Sequence, residues 1–293
     1  MTRTFTRFAL HGLCSAAALV AFGAANASAQ LTIYDAGGFE AARGFSATFS
    51  PGVGYTGQLE GQAVGDVDLW STPIGGTGTS TATVVTGVNS PLGAAGSQAV
   101  EVYKGDTDAR WGVRTGIYPS QGEDFICIEW DMMIPSPGSG GTPGTDFGPF
   151  MGIETYYDQN LTVHSSFGVD ATSGTVLVGE AGTGNLVLTD TAKDVAFDAW
   201  NSFRIELDFT AKTSTAFLNG ELINVESFVD AGALFFTDAD ITAVSEGPAF
   251  DGLTATAYFD NYTVHEGACI PEPATLALAA MSLIGLAWRR RLA

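Results

Sequence analysis

Apolar residues recur at every second position in short runs separated by glycine- and proline-rich turns, a pattern that predicts strands rather than long helices. The clearest runs are QAVEVYK (98–104), FICIEWDMMI (125–134), LTVHSSFGV (161–169), GTVLVGE (174–180), NLVLT (185–189), SFRIELDFT (202–210) and TATAYFDNYTVHE (254–266). In FICIEWDMMI the alternation sets Ile126, Ile128, Trp130 and Met132 on one face and Cys127, Glu129 and Asp131 on the other. The first face belongs to a core; the second is wet or lines a groove. Strands over 213–218 and 221–225 flank Asn219-Gly220, a pair that tolerates the positive φ angles of a two-residue type I′ hairpin turn. Trp130 and Trp200 are expected in the core.

The two ends break this pattern. Arg3 and Arg7 precede a mostly apolar run over 8–22, and Ala27-Ser28-Ala29 supplies small residues for cleavage before Gln30, so 1–29 reads as a secretory signal peptide. At the other end, IPEPATLALAAMSLIGLAWRRRLA holds an apolar stretch over 274–288. As a helix it covers roughly 22 Å, short of a hydrocarbon core of about 30 Å, and so makes a marginal anchor. Arg289, Arg290 and Arg291 follow directly and would stay on the cytoplasmic side, with the body outside. The order of Pro271-Glu272-Pro273, apolar helix and arginines resembles the PEP-CTERM sorting signal of exported bacterial proteins. That resemblance implies recognition by an exosortase, an integral membrane transpeptidase. It also implies transient residence in the inner membrane through 270–293, cleavage near the motif, and delivery of the body to the envelope or matrix.

Between these signals, 30–269 is expected to form one antiparallel β-sandwich, since neither 134–150 nor 71–87 needs to be more than a surface loop. Trp200 opening the run Arg204, Ile205, Glu206, Leu207, Asp208, followed by the Asn219-Gly220 hairpin, resembles the laminin G and concanavalin-like jelly roll. GFE at 38–40, GQLEGQ some twenty residues on and the last strand AYFDNYTV extend the resemblance. It implies a fold, and a fold does not deliver a function.

Charge narrows the partners. Residues 30–273 keep all 32 acids against Arg43, Lys104, Arg110, Arg114, Lys193, Arg204 and Lys212, a net charge of about −25. Such a surface repels nucleic acid and anionic lipid. Nothing in the chain assembles a motif for catalysis: there is no G-x-S-x-G, no H-E-x-x-H and no phosphate-cradling loop. Sandwiches that hydrolyse β-glucans carry two glutamates around an aspartate on one strand, and here Met133 follows Glu129 and Asp131. A polysaccharide hydrolase or lyase is therefore the third reading. A non-catalytic, envelope- or matrix-associated polysaccharide binder is the first, and a purely structural or adhesive envelope protein the second. Sugar stacking would use Tyr156 and Tyr157 beside Asp158 and Asn160, or Trp111, with edge packing as the alternative role for the tyrosines. Calcium is the candidate cofactor, since the jelly-roll resemblance implies a structural ion between an early glutamate, Glu40, and an aspartate of the last strand, Asp260. His164 reads as an ordinary strand residue and His265 as one near the anchor linker. Cys127 and Cys269 share an oxidising compartment after export; the expectation is that they stay unpaired, with Cys127 packed as a small apolar residue.

Overall fold

A computed structural model describes residues 30–51, 54–62, 70, 79–93, 95–113, 115–119, 124–136, 147–157, 162–184, 187–245, 252–267 and 269. The expected signal peptide and the whole of 270–293 lie outside them. Among the described residues no helix is long and apolar enough to cross a membrane.

Among the described residues fourteen strands form two antiparallel sheets: β1 (Leu31–Asp35), β2 (Thr81–Thr86), β3 (Gln98–Lys104), β4 (Ala109–Trp111), β5 (Phe125–Met133), β6 (Phe150–Tyr157), β7 (Thr162–Asp170), β8 (Thr175–Gly179), β9 (Leu188–Asp194), β10 (Trp200–Asp208), β11 (Thr213–Leu218), β12 (Glu221–Ser227), β13 (Asp238–Val244) and β14 (Ala255–Glu266). The larger sheet runs β12-β11-β10-β5-β14-β3-β2, with β1 also pairing β14; the smaller runs β4-β13-β6-β7-β8-β9. The chain is thus an all-β sandwich of the jelly-roll kind.

Period-two alternation builds the core between the sheets. Ile126, Ile128, Trp130 and Met132 of β5 and Phe203, Ile205 and Leu207 of β10 point inward with Phe259 and Val264 of β14. They meet Met151 and Ile153 of β6, Phe167 and Val169 of β7 and Ile241 of β13. Trp130 stacks on Phe203 with ring centroids 5.4 Å apart, and Phe167 from the opposite sheet meets both rings edge-on. Aromatic contacts of this geometry add about 0.5–1.5 kcal/mol each beyond buried area. The Asn219-Gly220 turn closes the β11–β12 hairpin with φ of 52° and 79°, as expected for type I′. Trp200, expected in the core, opens β10 on the outward face and is only partly buried, because strand parity sets it with Ser202 and Arg204 rather than with Phe203.

The cysteine expectation is overturned. Cys127 and Cys269 form a disulfide with Cα atoms 5.2 Å apart. After β14 the chain folds back: Gly267 N donates to Phe125 O at 2.8 Å and Cys269 N to Glu206 Oε2 at 2.9 Å. Cys269 thereby lies over Cys127, which belongs to the outward face of β5 and is buried beneath it. The bridge spans a sequence separation of 142. Closing so long a loop restricts the unfolded chain by roughly 4–5 kcal/mol in the chain-entropy account.

The central strands β6 and β13 of the smaller sheet are buried on both faces. Its second face carries an apolar cluster of Phe150, Leu177, Leu188 and Val244. Gly152 and Gly168 are register partners beneath the Phe150 ring, and a Cβ on Gly168 would lie 2.2 Å from Met151 O and 2.8 Å from Phe150 Cε2. Gly168→Ala is therefore expected to destabilise the body by about 1–3 kcal/mol through overpacking, read as a lower denaturant midpoint at unchanged slope; an unchanged midpoint would show that the two strands can separate freely here.

Candidate functional site

The outward face of the larger sheet is polar because the residues that alternate with its core side chains are polar. One row of register partners crosses five strands: Phe217 on β11, Arg204 on β10, Glu129 on β5, Thr263 on β14 and Asp35 on β1. The neighbouring rows bring Ser202 and Asp131 to one side and His265 to the other. These side chains, with Arg43 and Asn261, line an open groove of about 790 Å³. A groove of this size and mixed polarity is suited to a small or oligomeric ligand.

Its charges are held in place. The Arg204 guanidinium lies 4.0 Å from the centre of the Phe217 ring, a cation–π contact that stiffens it across the groove floor. Arg204 Nε and His265 Nδ1 are buried and have no hydrogen-bond partner among the described residues. Burial lowers the His265 pKa, so its imidazole is neutral near pH 7 and offers one donor and one acceptor. Asp35 pairs with Arg43 and also accepts Gly37 N at 2.7 Å.

At one end of the groove sits a group of acids. Asp131 Oδ2 accepts Ser90 Oγ and Asn261 Nδ2, both at 2.7 Å. Asp260, its register partner, accepts Ser90 N at 2.6 Å and Asn261 N at 2.7 Å. Glu40 accepts the backbone N–H of Ser97 and, at 2.8 Å, that of Gln98. Asp260 and Glu40 flank Gly38: a Cβ there would stand 3.1 Å from Asp260 Oδ1 and 3.7 Å from Glu40 Cγ. Burial, with smaller contributions from Asp131 and Glu40, pushes the Asp260 carboxyl up to about 6. Glu40 and Asp260 thus lie on either side of Gly38, and no group of three or more His, Cys, Asp or Glu converges on one point among the described residues.

The aromatic residues singled out for sugar stacking lie elsewhere. Trp111 is 1 % exposed, packed in the core opposite Ile241. Tyr157 is 8 % exposed and meets the Phe235 ring edge-on. Tyr156, 7 % exposed, donates to Glu154 Oε2 at 2.5 Å and accepts Arg110 Nε at 2.8 Å. Burial opposes the Arg110 charge, but the adjacent Glu154 and Tyr156 outweigh it and raise its pKa; burial, then Glu154, raises the Tyr156 phenol. Thr242 and Ser166 donate to the same carboxylate, each at 3.3 Å. This is an enclosed ionic network, and none of the three rings presents a face for stacking. Asp158 and Asn160 lie outside the described residues, as do Pro271, Glu272, Pro273, Arg289, Arg290 and Arg291.

The groove residues Arg204, Phe217, Thr263, Asp35 and Arg43 were not singled out in the sequence. A signal existed for one pair: the hairpin parity of β10 and β11 sets Arg204 opposite Phe217. Nothing local announces that β5 and β14 lie beside β10.

Residues 270–291 match the PEP-CTERM protein-sorting motif, so the chain carries this signal at its C-terminal end. No curated protein matches the chain. Among solved structures, a sialidase is similar at 10 % identity and TM-score 0.43 over 66 % of this chain, which spans only 18 % of that protein's length. An endo-β-1,4-glucuronan lyase from the fungus Trichoderma reesei is similar at 9 % identity and TM-score 0.46, covering 72 % of this chain and 94 % of that one. The botulinum neurotoxin serotype G binding domain is similar at 10 % identity and TM-score 0.40, covering 73 % and 48 %.

His164 proves to be a core residue rather than an ordinary strand polar group. It is fully buried against Phe209 and Phe228, with Nε2 2.7 Å from Phe235 O, and burial lowers its pKa to about 4. The unfolded chain binds this proton from about pH 6.5 downward and the folded one only near 4, so stability rises with pH across that window. His164→Gln is expected to lose that part of the pH dependence in urea titrations at pH 4 to 7, whereas identical profiles would mean the imidazole titrates freely in the folded state.

Proposed function

We propose that the exported body is a non-catalytic polysaccharide-binding protein of the cell envelope or extracellular matrix, and that it holds its ligand in the groove of the larger sheet. The observation that carries this reading is the row Phe217–Arg204–Glu129–Thr263–Asp35, which lays a guanidinium, carboxylates and a hydroxyl across one open face. Sugar hydroxyls pair with such groups, and the unpartnered Arg204 Nε–H donor and His265 Nδ1, a donor or acceptor by tautomer, are groups that a ligand would satisfy. The sorting motif supports the location, since a chain processed by an exosortase is delivered where extracellular polysaccharide lies.

Arg204→Ala and Glu129→Gln should each weaken binding to the secreted polysaccharide of the producing cells by about tenfold or more, equivalent to about 1.4 kcal/mol, with the melting temperature and polymer length unchanged. Calorimetric titration of the processed body checks this, with Lys193→Ala on β9 as a control expected to bind normally. Wild-type affinity in both groove variants would remove the groove from the account.

Calcium belongs to the same proposal. Glu40 and Asp260 suit a hard cation in kind and in charge; burial is the main cause of the raised Asp260 pKa, and the smaller contribution of Asp131 and Glu40 is negative charge that a cation would offset. Remaining ligands would have to be backbone carbonyls or water. An ion bound only by the folded state stabilises it by about 2.7 kcal/mol at a hundredfold excess over Kd. Thermal unfolding should therefore respond to chelator in the wild type and in Asp106→Ala, and not in Asp260→Ala. The same melting temperature in calcium and in chelator would discard the ion.

A further inference from the structure

The groove and the disulfide share one strand. β5 carries Glu129 and Asp131 of the groove and Cys127 of the bridge, all on its outward face. Cys127 and Glu129 are successive residues on that face, roughly 7 Å apart. β5 is bonded on both sides nearly from end to end, to β10 from Met133 to Phe125 and to β14 from Met133 to Ile126. Beyond the bridge only Ile270 separates Cys269 from Pro271, so the sorting motif begins within two residues of the covalent link.

This placement decides how tension on the tail enters the body. Without the bridge, pull on the tail reaches the end of β14 at Glu266, where Leu31↔Glu266 and Thr32↔His265 are the first pairs of the β1 ladder and Ile126↔Glu266 and Cys127↔His265 those of the β5 ladder. An antiparallel ladder pulled from one end opens pair by pair, each pair carrying the whole force in turn. With the bridge, the pull passes from Cys269 to Cys127, so the chain between them, β14 included, carries none of it and cannot be peeled away. The Glu206 carboxylate adds a hydrogen bond from β10 to the Cys269 backbone.

We propose that the Cys127–Cys269 disulfide makes the body a tension-resistant link, carrying force from its anchored tail directly into β5 and so to the ligand held by that strand's outward side chains. The outer end of this link rests on the polysaccharide reading of the groove; the inner end rests only on the bridge and the sorting motif. The protein's further function is then mechanical, to hold polymer to the anchoring layer under shear.

The test is single-molecule pulling on the full chain in detergent, with one handle at the C-terminal end and the other at Gln30. In both states β1 should peel first, since Gln30 adjoins the first pair of its ladder. The oxidised molecule should then hold until a high-force rupture that leaves the stretch between the cysteines closed. Reduced protein, or the Cys127→Val/Cys269→Val variant, should show a further low-force step as β14 peels and release roughly 500 Å more chain, from the 142-residue separation at about 3.5 Å per residue. With handles at Gln30 and Lys193, where the pull bypasses Cys269, reduction should leave the first rupture force unchanged. Equal loss of force in both geometries, no loss in the tail geometry, or a variant that fails to fold would each make the bridge a general staple and overturn the proposal. Arg204→Ala should leave the tail-geometry force unaltered while weakening polysaccharide binding about tenfold or more, so failure of the groove reading and failure of the link are told apart.

Discussion

The alternation of a single strand governs both what holds this protein together and what it presents. β5 is flanked by β10 and β14 and sends Ile126, Ile128, Trp130 and Met132 into the core, where Trp130 stacks on Phe203 and meets Phe167 of the other sheet. Because side chains alternate strictly, the same register that fixes these contacts also fixes Cys127, Glu129 and Asp131 on the opposite face. A one-residue slip would bury a carboxylate and expose a tryptophan, so the core enforces the groove. The polar row across five strands is the reverse side of a well-specified hydrophobic face.

The smaller sheet obeys a different constraint. Its strands β6 and β13 are buried throughout, with a hydrophobic core on one face and an apolar cluster plus the Arg110–Glu154–Tyr156 network on the other. An arginine and a glutamate inside a protein persist only when paired and hydrogen-bonded, and here Tyr156, Thr242 and Ser166 complete the carboxylate's shell. The network fixes strand positions, and its enclosure takes Tyr156 out of any role in stacking against a ligand.

That difference explains how far the sequence could be read. The strands β3, β5, β7, β8, β10, β11, β12 and β14 all follow runs whose apolar positions alternate, and the Asn-Gly turn marks its hairpin without ambiguity. FMGIETYY, the strand β6, carries no such alternation, because both of its faces are inside and either parity is tolerated; DADITAV, the strand β13, alternates Ala239, Ile241 and Ala243 with Asp238, Asp240 and Thr242, but its apolar side chains are mostly small and mark no run. Tyr156 and Tyr157 could therefore be mistaken for exposed residues between strands. The groove and the disulfide were not legible, since both depend on neighbours far apart in the chain: Arg204 with Glu129, and Cys127 with a residue that only a fold-back after Gly267 brings near.

A chain that carries a PEP-CTERM sorting signal is exported with its body outside and its tail as the point of attachment. Cys269, two residues before the sorting motif, is bridged to the same outward face that bears the groove. The most direct measurement is covalent carboxylate footprinting of the processed body by mass spectrometry, with and without the secreted polysaccharide of the producing cells. The account predicts that Asp35 and Glu129 become protected while Asp190 and Asp194 on β9 react as before. Protection confined to the β9 carboxylates, with Asp35 and Glu129 unchanged while polysaccharide is bound, would contradict it.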